Sequence, residues 1–254
     1  MEFLVSGEWS RGSIETVYQV NRRRKWDARV ERLIEEEWNQ AQASVGDGRM
    51  LFAGPLCRLI RYEASGGGLK LFLGPTDYRE YLGTSRHWRT IQEYVGAAEL
   101  QEYLSNPLAV CAAVGTSDGK LVIGRRSGSV MEHAGYWHVP GGHVEPAHLV
   151  DGRVDVFRAM LDELFEELGV AENQVALRCL GLFRPVDTLK PELAFSAEVG
   201  YTAAELLALP RNDEHEELRL LNDDPGEVRA FLENPETRFV PSGRAALRLR
   251  ALMP

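Results

Sequence analysis

Trp137-His138-Val139-Pro140-Gly141-Gly142-His143-Val144-Glu145, followed downstream by Glu163-Leu164-Phe165-Glu166-Glu167-Leu168-Gly169-Val170, decides how the chain reads. On a helical wheel at about 100° per residue, Glu167 lies about 40° to one side of Glu163 and Glu166 about 60° to the other. Three carboxylates therefore share one edge of one helix. Phe157, Met160, Leu161, Leu164 and Leu168 fill the neighbouring sector, an apolar stripe that can anchor the helix on a core. Gly169 supplies the stop. Packing has no use for adjacent carboxylates, which repel one another. A hard divalent cation with oxygen ligands would relieve that repulsion. Glu163 and Glu167 are the preferred ligands, because i,i+4 side chains project side by side.

Outward from this stretch, the second half of the chain reads as a strand-rich mixed sheet with helices packed on it. Leu108–Val114 and Leu121–Arg126 form a hairpin about Ser117-Asp118-Gly119. Residues 136–139 are a short strand before a Gly-Gly turn, and the carboxylate helix covers roughly 153–168. Strands follow at 176–184, 192–200 and 218–221, and helices at 202–208, 225–233 and 242–252. The last two helices are capped near Asp224 and Ser242. The first half carries two short strands in residues 1–20, a helix at 26–41 and a hairpin of 51–62 with 69–73 across Gly66-Gly67-Gly68. A short helix or turn follows at Tyr78–Ser85, then a helix at 96–104. Ser105-Asn106-Pro107 marks a boundary, giving a smaller α/β domain at 1–104 and a larger one at 105–254. The overall class is α/β (α+β).

The chain has 254 residues, 44% hydrophobic and 26% charged, an ordinary globular composition. A net charge of −9 argues against nucleic acid as the main partner, though not against a nucleotide, which needs only a few local cations. Cys57, Cys111 and Cys179 are odd in number and widely spaced, which fits reduced thiols in a cytoplasmic compartment. No apolar run is long enough to predict a signal peptide or a membrane span. Arg125-Arg126, at a strand end, is placed to meet phosphate oxygens. Glu214-His215-Glu216-Glu217 is an acidic loop before a strand.

The central stretch resembles the Nudix box, Gly-x5-Glu-x7-Arg-Glu-U-x-Glu-Glu-x-Gly-U with U aliphatic. Glu163 to Val170 match its second half at every fixed position, and Pro140-Gly141-Gly142-x-x-Glu145 matches its usual opening. The middle departs. Asp162 stands at the box arginine. The first box glutamate falls on His148 counted from Gly142, or on Val154 counted back from the helix, so the loop carries an insertion of six residues. Further strings are similar to the Nudix subgroup that cleaves UDP-glucose and UDP-galactose. They are Tyr78-Arg-Glu-Tyr-Leu-Gly-Thr84, Asn106-Pro-Leu-Ala-Val110, Arg125-Arg126-Ser127, Val139-Pro-Gly-Gly-His-Val-Glu-Pro146 and Ser242-Gly-Arg-Ala-Ala246. The long loop and the missing arginine are marks of that subgroup.

The resemblance implies an α/β/α sandwich and Mg²⁺-dependent cleavage, with Mn²⁺ as a substitute metal, of a UDP-sugar to UMP and sugar 1-phosphate. It implies Glu163 and Glu167 as metal ligands within a catalytic set that includes Glu166, and Glu216 as a loop-borne base or extra ligand. Phe52 and Tyr78 would contact the uridine end and Arg126 a phosphate, with Met131, His138, His143 and Glu145 completing the substrate contacts. A monomer or homodimer with a nucleotide-sugar substrate is expected, and neither nucleic acid nor membrane as partner. Two other readings stay open: a Nudix hydrolase of another nucleoside diphosphate derivative such as ADP-ribose, and a non-catalytic nucleotide-binding module.

Overall fold

The computed structural model describes residues 1–45, 51–128 and 132–252. Thirteen strands and eight helices follow in chain order among them. They are β1 (Glu2–Trp9), β2 (Ile14–Tyr18), α1 (Ala28–Ser44), β3 (Pro55–Ser65), β4 (Gly68–Asp77), α2 (Tyr78–Arg86), α3 (Trp88–Val95), α4 (Leu100–Tyr103), β5 (Ala109–Gly115) and β6 (Lys120–Arg126). After these come β7 (Trp137–His138), β8 (Gly141–His143), β9 (Leu149–Val150), β10 (Arg153–Val154), α5 (Val156–Leu168), β11 (Val175–Arg184), β12 (Glu192–Val199), α6 (Ala203–Leu207), β13 (His215–Asn222), α7 (Pro225–Glu233) and α8 (Pro241–Arg250).

Strand β5 shows why the layers form. It is buried along its whole length, and its side chains alternate between faces as the strand period dictates. Val110, Ala112 and Val114 pack with Phe157, Met160, Leu164 and Leu168 of α5. Cys111 and Ala113 pack with Val228 and Leu232 of α7 and with Ala245, Leu247 and Leu249 of α8. The large sheet, ordered β1-β11-β12-β5-β6-β13 with β7 on β6 and β8 on β5, is thus sandwiched between helices. Only the β12–β5 pairing is parallel among its ladders, so the sheet is mixed. The stripe expected on α5 is buried throughout. Asp155 caps that helix by accepting from the N–H groups of Phe157 and Arg158 at 3.1 and 3.0 Å, and Gly169 ends it at φ +72°.

A second sheet, β2-β4-β3, lies on the α5 side, where Cys57, Leu59, Leu69, Leu71 and Leu73 join the same apolar cluster. Backbone hydrogen bonds stitch it on: Cys57 N–H to the Val144 carbonyl at 2.8 Å and Leu108 N–H to the Cys57 carbonyl at 2.8 Å. Strand β1 pairs with β11 in the large sheet, so the segment before residue 105 contributes to both sheets. Buried Arg58 donates to the carbonyls of Leu104 and Gln101, tying β3 to the chain leaving α4.

Three local expectations change. Of the helix expected at 96–104 only α4 forms, over Leu100–Tyr103; α3 precedes it and ends at Gly96, φ +82°. The cap of α8 is Val240; Ser242 lies inside the first turn, buried. Gly141-Gly142 is not a turn but strand β8, paired with Val110 and Cys111 of β5. Its period is too short and its side chains too absent for alternation to reveal it.

Helices α1 and α2 cross at Gly83, where an added Cβ would come 2.5 Å from the Ile34 Cα. Gly83→Ala is expected to destabilise the protein by about 1–3 kcal/mol in denaturant unfolding, because backbone has to move.

Candidate active site

The site is built where β8 passes under the last two turns of α5. Glu167 is buried at 2% exposure, its Oε1 accepts from Gly141 N–H at 2.9 Å, and its Oε2 lies 3.3 Å from His215 Nδ1. Glu163, one turn earlier, is hydrogen-bonded to Glu167. A methyl group on Gly142 would overlap the Glu163 carboxylate, so only glycine lets the strand pass this close. Burial, followed by the charges of Glu214 and Glu166, pushes Glu163 up to about 8. Burial, with Glu214 and Glu163 next, pushes Glu167 well above the usual carboxylate range. Two carboxyl groups share a dry site and hold a proton between them. Glu166 completes the edge but is exposed.

Gly141 and Gly142, which touch the pair, also line a cavity of about 130 Å³ together with Arg126, Glu132, His138, His143, Lys190 and Glu214, among others. Arg126 Nε donates to the Glu132 carbonyl at 3.1 Å, and its Nη1 lies 3.6 Å from Glu214. Lys190 lies 3.3 Å from Glu192 and 5.5 Å from the Tyr81 ring centre. Burial opposes its charge, but Glu192 and Glu132 outweigh that and leave its pKa raised. Burial drives His138 and His143 well below the usual imidazole value, helped by Arg126 for the first and Lys190 for the second. Burial and Arg126 lower His215 to about 4. All three rings are therefore neutral at physiological pH. His138 Nδ1, His143 Nε2 and both nitrogens of His215 are buried with no hydrogen-bond partner among the described residues. A buried polar atom left so costs about 1–3 kcal/mol, and a polar ligand in the cavity would satisfy those that face it.

The sequence-predicted residues divide. Arg126, His138 and His143 line the cavity, and Glu163 and Glu167 adjoin it through Gly142 and Gly141 of β8. Tyr78 stands beside them, its ring 6.3 Å from that of His143, and burial with the nearby Glu132 raises its hydroxyl to about 12. Glu145 is exposed, yet near enough to add to the upward shift of Glu163. Phe52 is 80% exposed and does not line the cavity; the carbonyl of Gly54, two residues on, accepts from Tyr78 N–H at 3.0 Å. Met131 lies outside the described residues. Glu216 is exposed, paired with Arg125 at 3.1 Å, and does not line the cavity. A bulge lies between His215 and Glu217, and Glu214 is the acid of this loop that lines the cavity. Nor does Arg125 line it. Lys190 and Glu132 were missed because no local motif marks them, and Tyr81 was passed over although it stands in the quoted Tyr78–Thr84 string.

Oxygen donors in a buried pair that now shares a proton suit a hard divalent cation. Among the described residues no three ligand-type side chains enclose an ion by themselves. Mg²⁺ does not require that, since it retains waters and uses one or two carboxylates together with substrate phosphates.

A family model described as NUDIX domain matches residues 105–246. The uridine diphosphate glucose pyrophosphatase NUDT22 of Homo sapiens is 45% identical over a stretch covering 44% of this chain and 46% of that protein. The Bos taurus protein of the same name is 38% identical, covering 41% of this chain and 42% of its own length. The matched stretch thus spans less than half of these curated relatives. DR0079 from Deinococcus radiodurans, a solved structure, superposes with a TM-score of 0.44 at 22% identity, covering 58% of this chain and 83% of that one.

A raised carboxyl pKa in the folded state stabilises the metal-free protein fully below 4.5, the ordinary value, and that contribution is gone once pH passes about 8. Metal-free protein should therefore lose stability as pH climbs across this window. Glu163→Gln, which cannot ionise, is expected to flatten the loss, with unchanged stability near pH 4.5 and a gain at pH 8 in urea unfolding with EDTA.

Proposed function

The chain belongs to the NUDIX domain family, and from that premise we propose that it hydrolyses the diphosphate bond of UDP-glucose and UDP-galactose, giving UMP and sugar 1-phosphate. The observation that carries the reading is the Glu163–Glu167 pair set against Gly141 and Gly142, two glycines that line a cavity also lined by Arg126 and Lys190. Carboxylates for a cation and cations for phosphate oxygens, set across one small space, are what an anionic diphosphate requires. The choice of a uridine sugar is supported by the name of the human and bovine relatives.

Glu163 and Glu167 hold Mg²⁺, with Mn²⁺ as substitute, which when bound supplies charge neutralisation at the phosphate oxygens and a more acidic water. The chain's own groups do the rest. Arg126 and Lys190 bind diphosphate oxygens. His138 and His143, neutral, offer hydrogen bonds without adding charge. Glu214, at the cavity wall, accepts the proton of the attacking water. At about 130 Å³ the cavity is smaller than the roughly 300 Å³ of pockets that swallow a whole small ligand. It takes the diphosphate and leaves the uridine end at the rim, where Tyr78 and the solvent-facing ring of Phe52 stack on it and Glu145 adds a contact; Met131, outside the described residues, is kept as a substrate contact on the resemblance alone. Three free, buried thiols favour the cytoplasm. The protein works as a monomer or homodimer, without nucleic acid or membrane; no helix among the described residues is long and apolar enough to cross one.

UDP-glucose with Mg²⁺ is expected to yield UMP and glucose 1-phosphate, measured by chromatography. Glu167→Gln abolishes turnover, and Glu214→Gln lowers kcat by about 10²–10⁴-fold, as loss of a general base does. Glu216→Gln leaves kcat unchanged. Faster turnover of ADP-ribose than of UDP-glucose overturns the uridine assignment, and binding without turnover in either metal overturns the hydrolase.

Mg²⁺ should also stabilise the fold. At about 100 times its Kd the gain is about 2.7 kcal/mol, or about 5–10 °C in Tm. Protons compete for the same carboxyls, so the shift should be largest near pH 8 and shrink toward pH 5 in differential scanning fluorimetry.

A further inference from the structure

The two positions at which the box pattern fails are His148 and Asp162, and the structure brings them together. Glu145 N–H donates to His148 Nδ1 at 3.0 Å, so that nitrogen carries the lone pair and the ring hydrogen sits on Nε2. Nε2 lies 3.4 Å from Asp162 Oδ2. Asp162 immediately precedes Glu163 on α5, and its other oxygen takes Arg158 at 2.5 Å. The imidazole is largely buried, with a side chain 12% exposed, and Asp162 is about one-third exposed. One ring therefore ties the Gly142-x-x-Glu145 segment to the helix that bears the carboxylate pair.

Counting from Gly142, the pattern has an acid at position 148 and a base at the position of Asp162. Here a base stands first and an acid second, so the pair is complementary with its polarity reversed. The same geometry settles where the insertion lies. Residues 149–154 form the β9–β10 hairpin, turning at Asp151 and Gly152 with φ +50° and +76°. Asp155 N–H donates to the His148 carbonyl at 3.0 Å, closing the chain beneath the hairpin. The six extra residues loop out and leave His148 where an uninterrupted box would put it. The hairpin is not idle: the Thr16 hydroxyl bonds both the N–H and the carbonyl of Val154 at 2.8 Å, fixing it to β2.

We propose that His148 and Asp162 are positioning residues, a loop-to-helix tie with donor and acceptor exchanged relative to the box, that holds Glu145 and the Gly142 lip over Glu163. The proposal rests on α5 being the catalytic helix, and it is separable from the choice of substrate. In the 254-residue chain, His148→Ala and Asp162→Ala are each expected to lower kcat about tenfold with KM within about twofold, and the double variant to lose no more than the worse single. His148→Glu alone, which sets acid against acid, loses at least as much. His148→Glu with Asp162→Arg, which writes the pair in the opposite polarity, returns kcat to within about threefold of the unaltered protein. Losses that multiply in the double alanine variant, or a swapped pair no better than it, overturn the tie. Mn²⁺ affinity by calorimetry on substrate-free protein reads the same cycle: about tenfold weaker binding in the single alanine variants, restored by the swap. If the unaltered protein binds Mn²⁺ but leaves UDP-glucose intact, the substrate reading fails and the calorimetric cycle still decides the tie.

Discussion

Two carboxyl groups within hydrogen-bonding reach of each other, Glu167 buried and Glu163 half-buried, are the constraint on which the rest of this site depends. Moving an ionised carboxylate out of water costs several kcal/mol unless partners compensate, and two together also repel. The metal-free protein meets this by holding a proton on the pair, as the raised Glu163 and Glu167 show. Partial compensation comes from the Gly141 N–H. A full positive charge is kept out of direct contact: Arg126 pairs with Glu214 instead, and His215, the nearest base, is held neutral by burial and Arg126. The site is thus left short of positive charge, the condition under which a divalent cation gains most by entering.

The glycines of β8 follow from the same constraint. A strand that must run against Val110 and Cys111 on one side and Glu163 on the other has no room for a side chain at either position. Sequence reading sees two adjacent glycines and infers a turn, because alternation needs side chains to alternate. The helix was legible for the opposite reason: its period is carried by many residues, and the carboxylate edge and apolar stripe agree on where it faces. Buried Glu167, half-buried Glu163 and exposed Glu166 fall in the order the wheel gives.

What the sequence could not show was direction at irregular places. Glu214 and Glu216 are two residues apart, which in a regular strand would put them on one face. The bulge between His215 and Glu217 breaks that rule, sending Glu216 to Arg125 in solvent and leaving Glu214 on the cavity wall. Lys190 reaches the cavity from the loop between β11 and β12, far from any motif in the chain, and only the sheet order makes it a neighbour of Arg126. The gap in the box is a gentler case. Both spacings were readable, but choosing between His148 and Val154 required the hydrogen bond that closes the hairpin behind His148.

The segment before residue 105 is drawn into the site by backbone, not by motif. Strand β1 extends the large sheet, β3 bonds to Val144 just beyond the glycine strand, and Thr16 grips the end of the inserted hairpin. Each contact lands on the loop between Gly142 and α5 or on the sheet beneath it. Such a loop, carrying six extra residues, would otherwise bring conformational freedom to the place where it is least tolerable, since an added segment costs entropy to order. The N-terminal strands take up that freedom. The same arrangement sets Tyr78, which opens α2, against His143 at the cavity rim. An insertion in one half of the chain and an aromatic in the other are therefore held by one set of strands. A change in how those strands pack would reach both the helix that carries Glu163 and Glu167 and the ring of Tyr78 beside His143.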